Sequence, residues 1–221
     1  MDFYERALQL KDELIANRRY LHRNAESGLH TPIAKAYIKK KLQEYGIESK
    51  VCGAGLSAML GKGGGKVLLL RADMDALPIQ ENNHDKPYRS KHDGIMHACG
   101  HDAHTTMLIG AAKALHAIRD QLTCRVKLLF QPCEEGRPSG ARTMCEHGVM
   151  QDIDCIIMCH VNCMDETHVI SSNPGVTNSS SVAFTVTLGG TKYYVQSADG
   201  KLGDTAPNPA LNVKAGTPLE I

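Results

Sequence analysis

The sequence predicts an α/β protein: a three-layer sandwich with a mixed, mostly parallel sheet between helices. Three observations carry this. Short apolar runs, Val67-Leu68-Leu69-Leu70, Val126-Lys127-Leu128-Leu129-Phe130 and Ile153 to Met158, read as strands buried on both faces. Stretches with helical apolar spacing alternate with them, as in layered α/β folds. Finally, Asp73 and Asp75, Glu134 and Glu135, and His160 each fall just past a strand end, where such folds gather their functional residues.

The elements follow in order. Asp2 to about Arg23 reads as one helix, with Leu8, Ile15 and Leu21 on its apolar stripe. Thr31-Pro32 opens the next, with threonine as cap and proline in the first helical position. It runs to about Tyr45, and Gly46 supplies the stop. Ile47 to Val51 and Leu56 to Leu60 are short strands. The run Gly61-Lys62-Gly63-Gly64-Gly65 is not followed by the Lys-Ser/Thr pair of a phosphate loop, so it reads as a turn. About His104 to Ile118 and Ser139 to about His147 are helical. From Ser171 the chain turns loop-like, and Val182 to Leu188 alternates as a half-exposed strand does. After Gly189-Gly190 the residues are polar and poorly able to build a core. No internal repeat is visible.

Composition narrows the function classes. The chain has 221 residues, 42% of them hydrophobic, enough for a real core. A formal net charge of +1 and the absence of Trp argue against nucleic acid and against a membrane surface as partners. The N-terminal residues contain no apolar signal core, and no apolar run approaches a membrane span. The eight cysteines are scattered, several inside apolar runs such as that around Cys155. They read as buried free thiols of a reducing compartment, and the expected location is cytoplasmic.

The chemistry concentrates in His97-Ala98-Cys99-Gly100-His101-Asp102-Ala103-His104, which holds three histidines, a cysteine and an aspartate in eight residues. Groups this polar are costly to bury without a partner, and a metal ion is the simplest one. Cys99 and His101 offer a thiolate and an imidazole, both good ligands for zinc and related metals. Glu135 and His160 offer two more donors. A core thiol with capped surface histidines is the bland alternative, and the convergence of three strand-end groups weighs against it. Neighbours on a strand point to opposite faces, so Glu134 and Glu135 serve one site only if the chain has left the strand. Pro132 and Gly136 bracket the pair and make that turn plausible. One glutamate then binds metal and the other acts as general base. Asp73 and Asp75 suit the outer nitrogen of a ligand histidine. His104, one helical turn after His101, is expected to support the site or face substrate rather than bind metal. His22, His30, His84, His92, His116 and His147 show no spacing signal.

Four segments resemble a known family. They are Arg19-Tyr20-Leu21-His22-Arg23 with Glu26, Leu70-Arg71-Ala72-Asp73-Met74-Asp75-Ala76-Leu77-Pro78, Met96 through His104, and Phe130-Gln131-Pro132-Cys133-Glu134-Glu135-Gly136. Over roughly residues 6 to 190 the chain is similar to metal-dependent amidohydrolases such as hippurate hydrolase, N-acyl-amino-acid amidohydrolases and indole-acetyl-amino-acid hydrolases, in a clan with carboxypeptidase G and aminoacylase. The resemblance implies two divalent metal ions (Zn, Mn, Co or Ni) held by Cys99, His101, Glu135 and His160, with Glu134 as general base. It leaves Asp73, Asp75, His97, Asp102 and His104 as supporting or substrate-facing groups. The implied reaction is hydrolysis of the amide of a small N-acyl amino acid or peptide.

Relatives of this kind are longer. They insert a smaller lid domain, often used for homodimerisation, and take a further ligand histidine from near their C-terminus. The resemblance therefore assigns residues 1–180 to the N-terminal part of a catalytic domain, 181–190 to the start of a truncated lid and 191–221 to an unmatched tail. Gly189-Gly190-Thr191-Lys192 stands where a glycine-histidine motif is usual, and the only histidine after His160 is His168, in a segment that does not match. These departures raise an alternative: a metal-binding remnant, regulatory or interacting, without catalysis. They also lead to an expectation of weak or no activity for these 221 residues alone.

Overall fold

The structure, a computed structural model, describes residues 2–62, 65–162 and 170, and the backbone of strands at 182–188 and 191–197. The chain divides into two compact units, Met1–Cys163 and Met164–Ile221.

In the first unit, α1 (Phe3–Gln9) starts at Asp2, whose Oδ1 accepts from the Tyr4 and Glu5 amides at 2.8 and 3.3 Å. The helix expected as one piece is interrupted at Leu10, which ends α1 and precedes α2 (Lys11–Arg23). Residues of α1 are not buried, whereas Leu10 is, and the turn lets that side chain sink into the core. α3 (Pro32–Glu44) has Thr31 at its N-cap position and proline at its start as predicted, but the Thr31 side chain makes no capping bond. The Glu26 carboxylate accepts from the Ile33 and Ala34 amides at 3.1 and 2.9 Å. The Thr31 side chain is buried with its hydroxyl unbonded, and a carboxylate suits the positive end of a helix better than a hydroxyl does.

The remaining elements are β1 (Ser49–Cys52), β2 (Gly55–Leu60), β3 (Val67–Asp73), α4 (His101–Ala117), β4 (Arg125–Gln131), α5 (Gly140–Glu146) and β5 (Cys155–Met158). The sheet order is β1-β2-β4-β3-β5. It is mixed, as expected, but evenly so: β3 runs parallel to β4 and β5, while β1–β2 and β2–β4 are antiparallel. β1 and β2 are antiparallel because a tight turn joins them, which cannot make a parallel crossover.

Strand alternation builds the three layers. Leu56, Ala58, Leu60, Leu128 and Phe130 face one way and pack with Leu21, Ile38, Leu42, Leu108 and Ile109 of α2, α3 and α4. Leu69 and Leu129 face the other way, against Cys52, Met144 of α5 and Val149.

The Ile153–Met158 run corrects an expectation. It forms β5, but all four strand residues are exposed, with Ile156 at 45% and Ile157 at 48%. A continuous apolar run specifies a strand; it cannot specify what covers it, and β5 ends the sheet among the described residues. Cys155 is accordingly exposed rather than a buried thiol, as are Cys145 and Cys159, whereas Cys52 and Cys133 are buried. Cysteines among the described residues are free.

In the second unit β6 (Val182–Leu188) pairs antiparallel with β7 (Thr191–Ser197), in register from Val182↔Ser197 to Leu188↔Thr191. β7 lies in the segment read as polar. Thr191, Tyr193, Tyr194 and Val195 are strand formers, and Gly189-Gly190 is a hairpin-turn sequence, so the signal was present. Residues 198–221 lie outside the described residues, as does His168. No helix among the described residues is long and apolar enough to cross a membrane.

Candidate metal centre

The site forms where β3, β4 and the start of α4 meet. β3 delivers Asp73 at its last position, and Asp75 follows; both are buried. β4 ends at Gln131, and the chain then turns through Cys133, which adopts a left-handed φ of 51°. Gly140 closes this turn so tightly that a Cβ there would lie 1.7 Å from the Pro132 carbonyl oxygen. The result meets the condition set by the sequence: Glu134 and Glu135 have left the strand. Their two amides converge on one carboxylate. Glu134 N–H donates to both oxygens of Asp75 at 2.9 Å, and Glu135 N–H donates to Oδ2 at 3.2 Å. Asp75 thus holds the glutamate turn, a role beyond the one expected of it.

α4 starts at His101 because Gly100 takes a left-handed φ of 86°. A Cβ on Gly100 would lie 2.3 Å from a Val161 methyl carbon, so a glycine is needed both for conformation and for space.

His101 is 1% exposed, yet both ring nitrogens are buried without a hydrogen-bond partner. Nδ1 lies 3.5 Å from Asp75 and 3.8 Å from Asp73. Nε2 lies 3.8 Å from Glu135 and 4.0 Å from Glu134. Burial disfavours the imidazolium, but Asp75, Asp73 and Glu134 outweigh it and hold this histidine above its ordinary range. An imidazole surrounded by carboxylates, each just beyond bonding distance, is a site arranged for a cation.

The other two histidines of the centre have assigned tautomers. His160 Nδ1–H donates to the Val161 carbonyl at 2.7 Å, which leaves the Nε2 lone pair 3.3 Å from Cys99 Sγ. His104 Nδ1–H donates to Asp73 at 2.6 Å, and its Nε2 accepts from the Val161 amide at 2.9 Å. Both nitrogens of His104 are therefore committed. The ligand atoms of Asp73, His101 and His104 lie within 4.8 Å of one another, but the tautomer removes His104 as a donor. Two other sets within that distance keep free lone pairs, Cys99/His101/His160 and His101/Glu134/Glu135, and they share His101.

Electrostatics agree with these donor sets. Burial, followed by Glu135, Asp73 and Glu134, pushes the Cys99 thiol up to about 12. Burial and the adjacent Glu135 raise Glu134 above the ordinary carboxylate range. A cation among them relieves both penalties. The residues present thus fit a divalent metal: orphaned imidazole nitrogens, a thiol and two carboxylates in a mix that suits zinc and its neighbours.

Two expected supporting residues make no bond to the donor atoms and face away from them. Asp102, although adjacent to His101, turns inward and accepts from His22 Nδ1 at 2.9 Å. His97 is buried beside His22, ring centroids 6.2 Å apart, with Nδ1 unpartnered. Burial drives its imidazole down to about 4, so it is neutral.

Sequence reasoning missed Arg71, Gln131, His22 and Glu81. Arg71 donates to Asp73 Oδ2 at 2.7 Å and to Gln131 at 3.1 Å, fixing the carboxylate that orients His104. The signal for Arg71 was available, since residues two apart share a strand face.

The family model described as peptidase family M20/M25/M40 matches residues 69–216. The chain belongs to this family. It is 38% identical to an N-acyl-L-amino acid amidohydrolase of Geobacillus stearothermophilus, over 69% of this chain and 42% of that protein. It is 44% identical to an N-acetyl-L-cysteine deacetylase of Bacillus subtilis, over 68% of this chain and 36% of that one. A solved Bacillus subtilis structure, described as a dinuclear metal binding peptidase of the M20 family, superposes with a TM-score of 0.62 at 40% identity. It covers 66% of this chain and 41% of its own. The matched region spans about two fifths of the length of these M20 relatives.

Proposed function

We propose that this M20 chain carries the metal-holding part of an amidohydrolase that cleaves the amide of small N-acyl amino acids or peptides. One observation carries the reading above all: His101 is buried with both ring nitrogens unbonded, facing Glu134 and Glu135 on one side and Asp75 and Asp73 on the other. The names of the relatives supply the substrate class.

In this reading Cys99, His101, Glu135 and His160 hold two divalent metals. Metals held there would supply Lewis-acid polarisation of the scissile carbonyl and lower the pKa of water toward about 7. Glu134 takes a proton from the attacking water and returns it to the leaving amine. Asp75, through the two backbone amides, keeps Glu134 from drifting relative to Glu135. Asp73 and Arg71 fix His104, whose Nε2 in turn pins the Val161 amide beside His160. Residues 1–180 are the catalytic part, and β6 begins the lid.

The test is metal content after loading with zinc, manganese, cobalt or nickel, followed by hydrolysis of a panel of N-acyl amino acids. Glu134→Gln should keep its metal and lose turnover by about 10²–10⁴-fold. Failure of the wild type to hold any divalent metal sinks the reading. Metal held with no amide cleaved supports the alternative of binding without turnover.

A further inference from the structure

A second buried network lies beside the metal centre. His22 of α2 stands between two carboxylates, with Nδ1 2.9 Å from Asp102 and Nε2 3.2 Å from Glu81. All three residues are buried, at 8%, 1% and 2% exposure. Each carboxylate has another partner. Asp102 Oδ1 accepts from the Ala103 amide at 2.9 Å, and Arg18 approaches Oδ2 at 3.4 Å from the solvent side. Glu81 Oε2 accepts from the Ser90 amide at 2.8 Å. The other rings packed on His22 are those of Tyr88 and the neutral His97.

We propose that His22 is a positioning residue: with Asp102 and Glu81 it clamps the first turn of α4 and thereby sets how Cys99 and His101 present their donors. The proposal rests on the metal reading above. Gly100 has no side chain to cap α4, and the Ala103 amide donates both to the Gly100 carbonyl and, at 2.9 Å, to the carboxylate of Asp102, the second residue of the helix. Asp102 directly follows His101, and His22 holds its remaining oxygen. Through Glu81, the same imidazole reaches the segment between Leu77 and Met96, whose ends pair with each other at 3.0 Å. Three stretches distant in sequence thus meet on one ring. Both ring nitrogens face acceptors, which requires both to carry protons. Consistently, Asp102 in the first place, and Glu81, hold the imidazole above its ordinary range against the cost of burial. Tethering of this kind, one step behind a metal ligand, is how ligand orientation is usually maintained.

The experiment titrates zinc into the full chain and its His22→Gln, Glu81→Gln and Asp102→Asn variants, and records histidine ¹⁵N spectra of the wild type and His22→Gln at neutral pH. His22→Gln should weaken zinc affinity about 10- to 100-fold. Combined with Asp102→Asn, it should lose little more than either single variant, because the two act as one unit. A histidine with two N–H groups at pH 7 should be present in the wild type and missing from His22→Gln. Unchanged zinc affinity in His22→Gln, even with a lower melting temperature, marks a purely structural residue and overturns the proposal. If that variant does not fold, Glu81→Gln decides, since it leaves the His22–Asp102 bond in place. Absence of the two-proton signal overturns the clamp independently. A wild type that binds no zinc, manganese, cobalt or nickel overturns the metal reading first and this proposal with it.

Discussion

Two buried histidines, one bonded to Asp102 and the other immediately before Asp102 in the chain, behave in opposite ways. His22 has both nitrogens bonded to carboxylates, whereas His101 has both nitrogens buried and bonded to none. The two are similarly buried and similarly surrounded by acids. They differ in whether the geometry closes. Closed geometry describes a finished structural joint, since its charges are already neutralised within the protein. Open geometry, with acids at 3.5–4.0 Å around an imidazole, leaves a place for a cation. Buried polar groups that remain unpaired cost stability, and such a cost is normally retained at functional sites.

The contrast can be broken at several points. The largest effect is expected for His22→Ala, which strands two buried carboxylates without their cation. Equilibrium denaturation should show a loss of about 3–5 kcal/mol. A loss under about 1 kcal/mol would mean that the network is not charged.

Next comes acid. His97 titrates near 4 when folded and near 6.5 when unfolded, so its folded pKa is depressed. Its effect is absent above about pH 6.5; as the pH falls toward 4 the unfolded state gains a proton that the folded state refuses. That shift corresponds to at most about 3 kcal/mol of destabilisation. Urea unfolding between pH 7 and 4 should show a shallower decline in His97→Phe than in the wild type. His22 acts in the opposite sense. Its raised folded pKa gives a contribution complete below about pH 6.5, fading as the pH rises through the folded value.

A smaller change is expected at the glutamate turn. Asp75→Asn weakens acceptance of the Glu134 and Glu135 amides, and zinc affinity measured by calorimetry should fall by about 1–3 kcal/mol. Retention of full affinity would show that the turn holds itself.

The smallest effect is also the sharpest test of the comparison. In metal-free protein at alkaline pH, where the His101 imidazole has lost its extra proton, His101→Leu should change stability by less than about 1 kcal/mol or raise it, because it removes two unbonded buried nitrogens. The same variant should hold less metal. A large loss of metal-free stability would place His101 with His22, as a joint rather than a site.

Much of the centre was legible in the sequence. Cys99 and His101 stood out by density, and Glu134-Glu135 by its bracket of Pro132 and Gly136. The structure brings these together with His160. The inward turn of Asp102 was not legible, because its partners His22 and Arg18 lie 80 and 84 residues away along the chain. Only Arg18 and His22 carried a local hint, one helical turn apart on the same face of α2. The side chain that bonds the first amides of α3 was not legible for a similar reason. Thr31 has the right chemistry at the right position, but Glu26 reaches the same amides from outside the helix.

The sequence by itself determined the order and type of most elements, because apolar periodicity and turn residues act over a few positions. It also determined the donor chemistry of the metal centre, because cysteine, histidine and glutamate carry that chemistry wherever they are placed. Only the tertiary structure decided which polar groups are satisfied. It commits both nitrogens of His104, leaves those of His101 open, encloses His22 and uncovers β5. Satisfaction and burial are set by atoms that arrive from remote parts of the chain, at distances that local pattern does not encode.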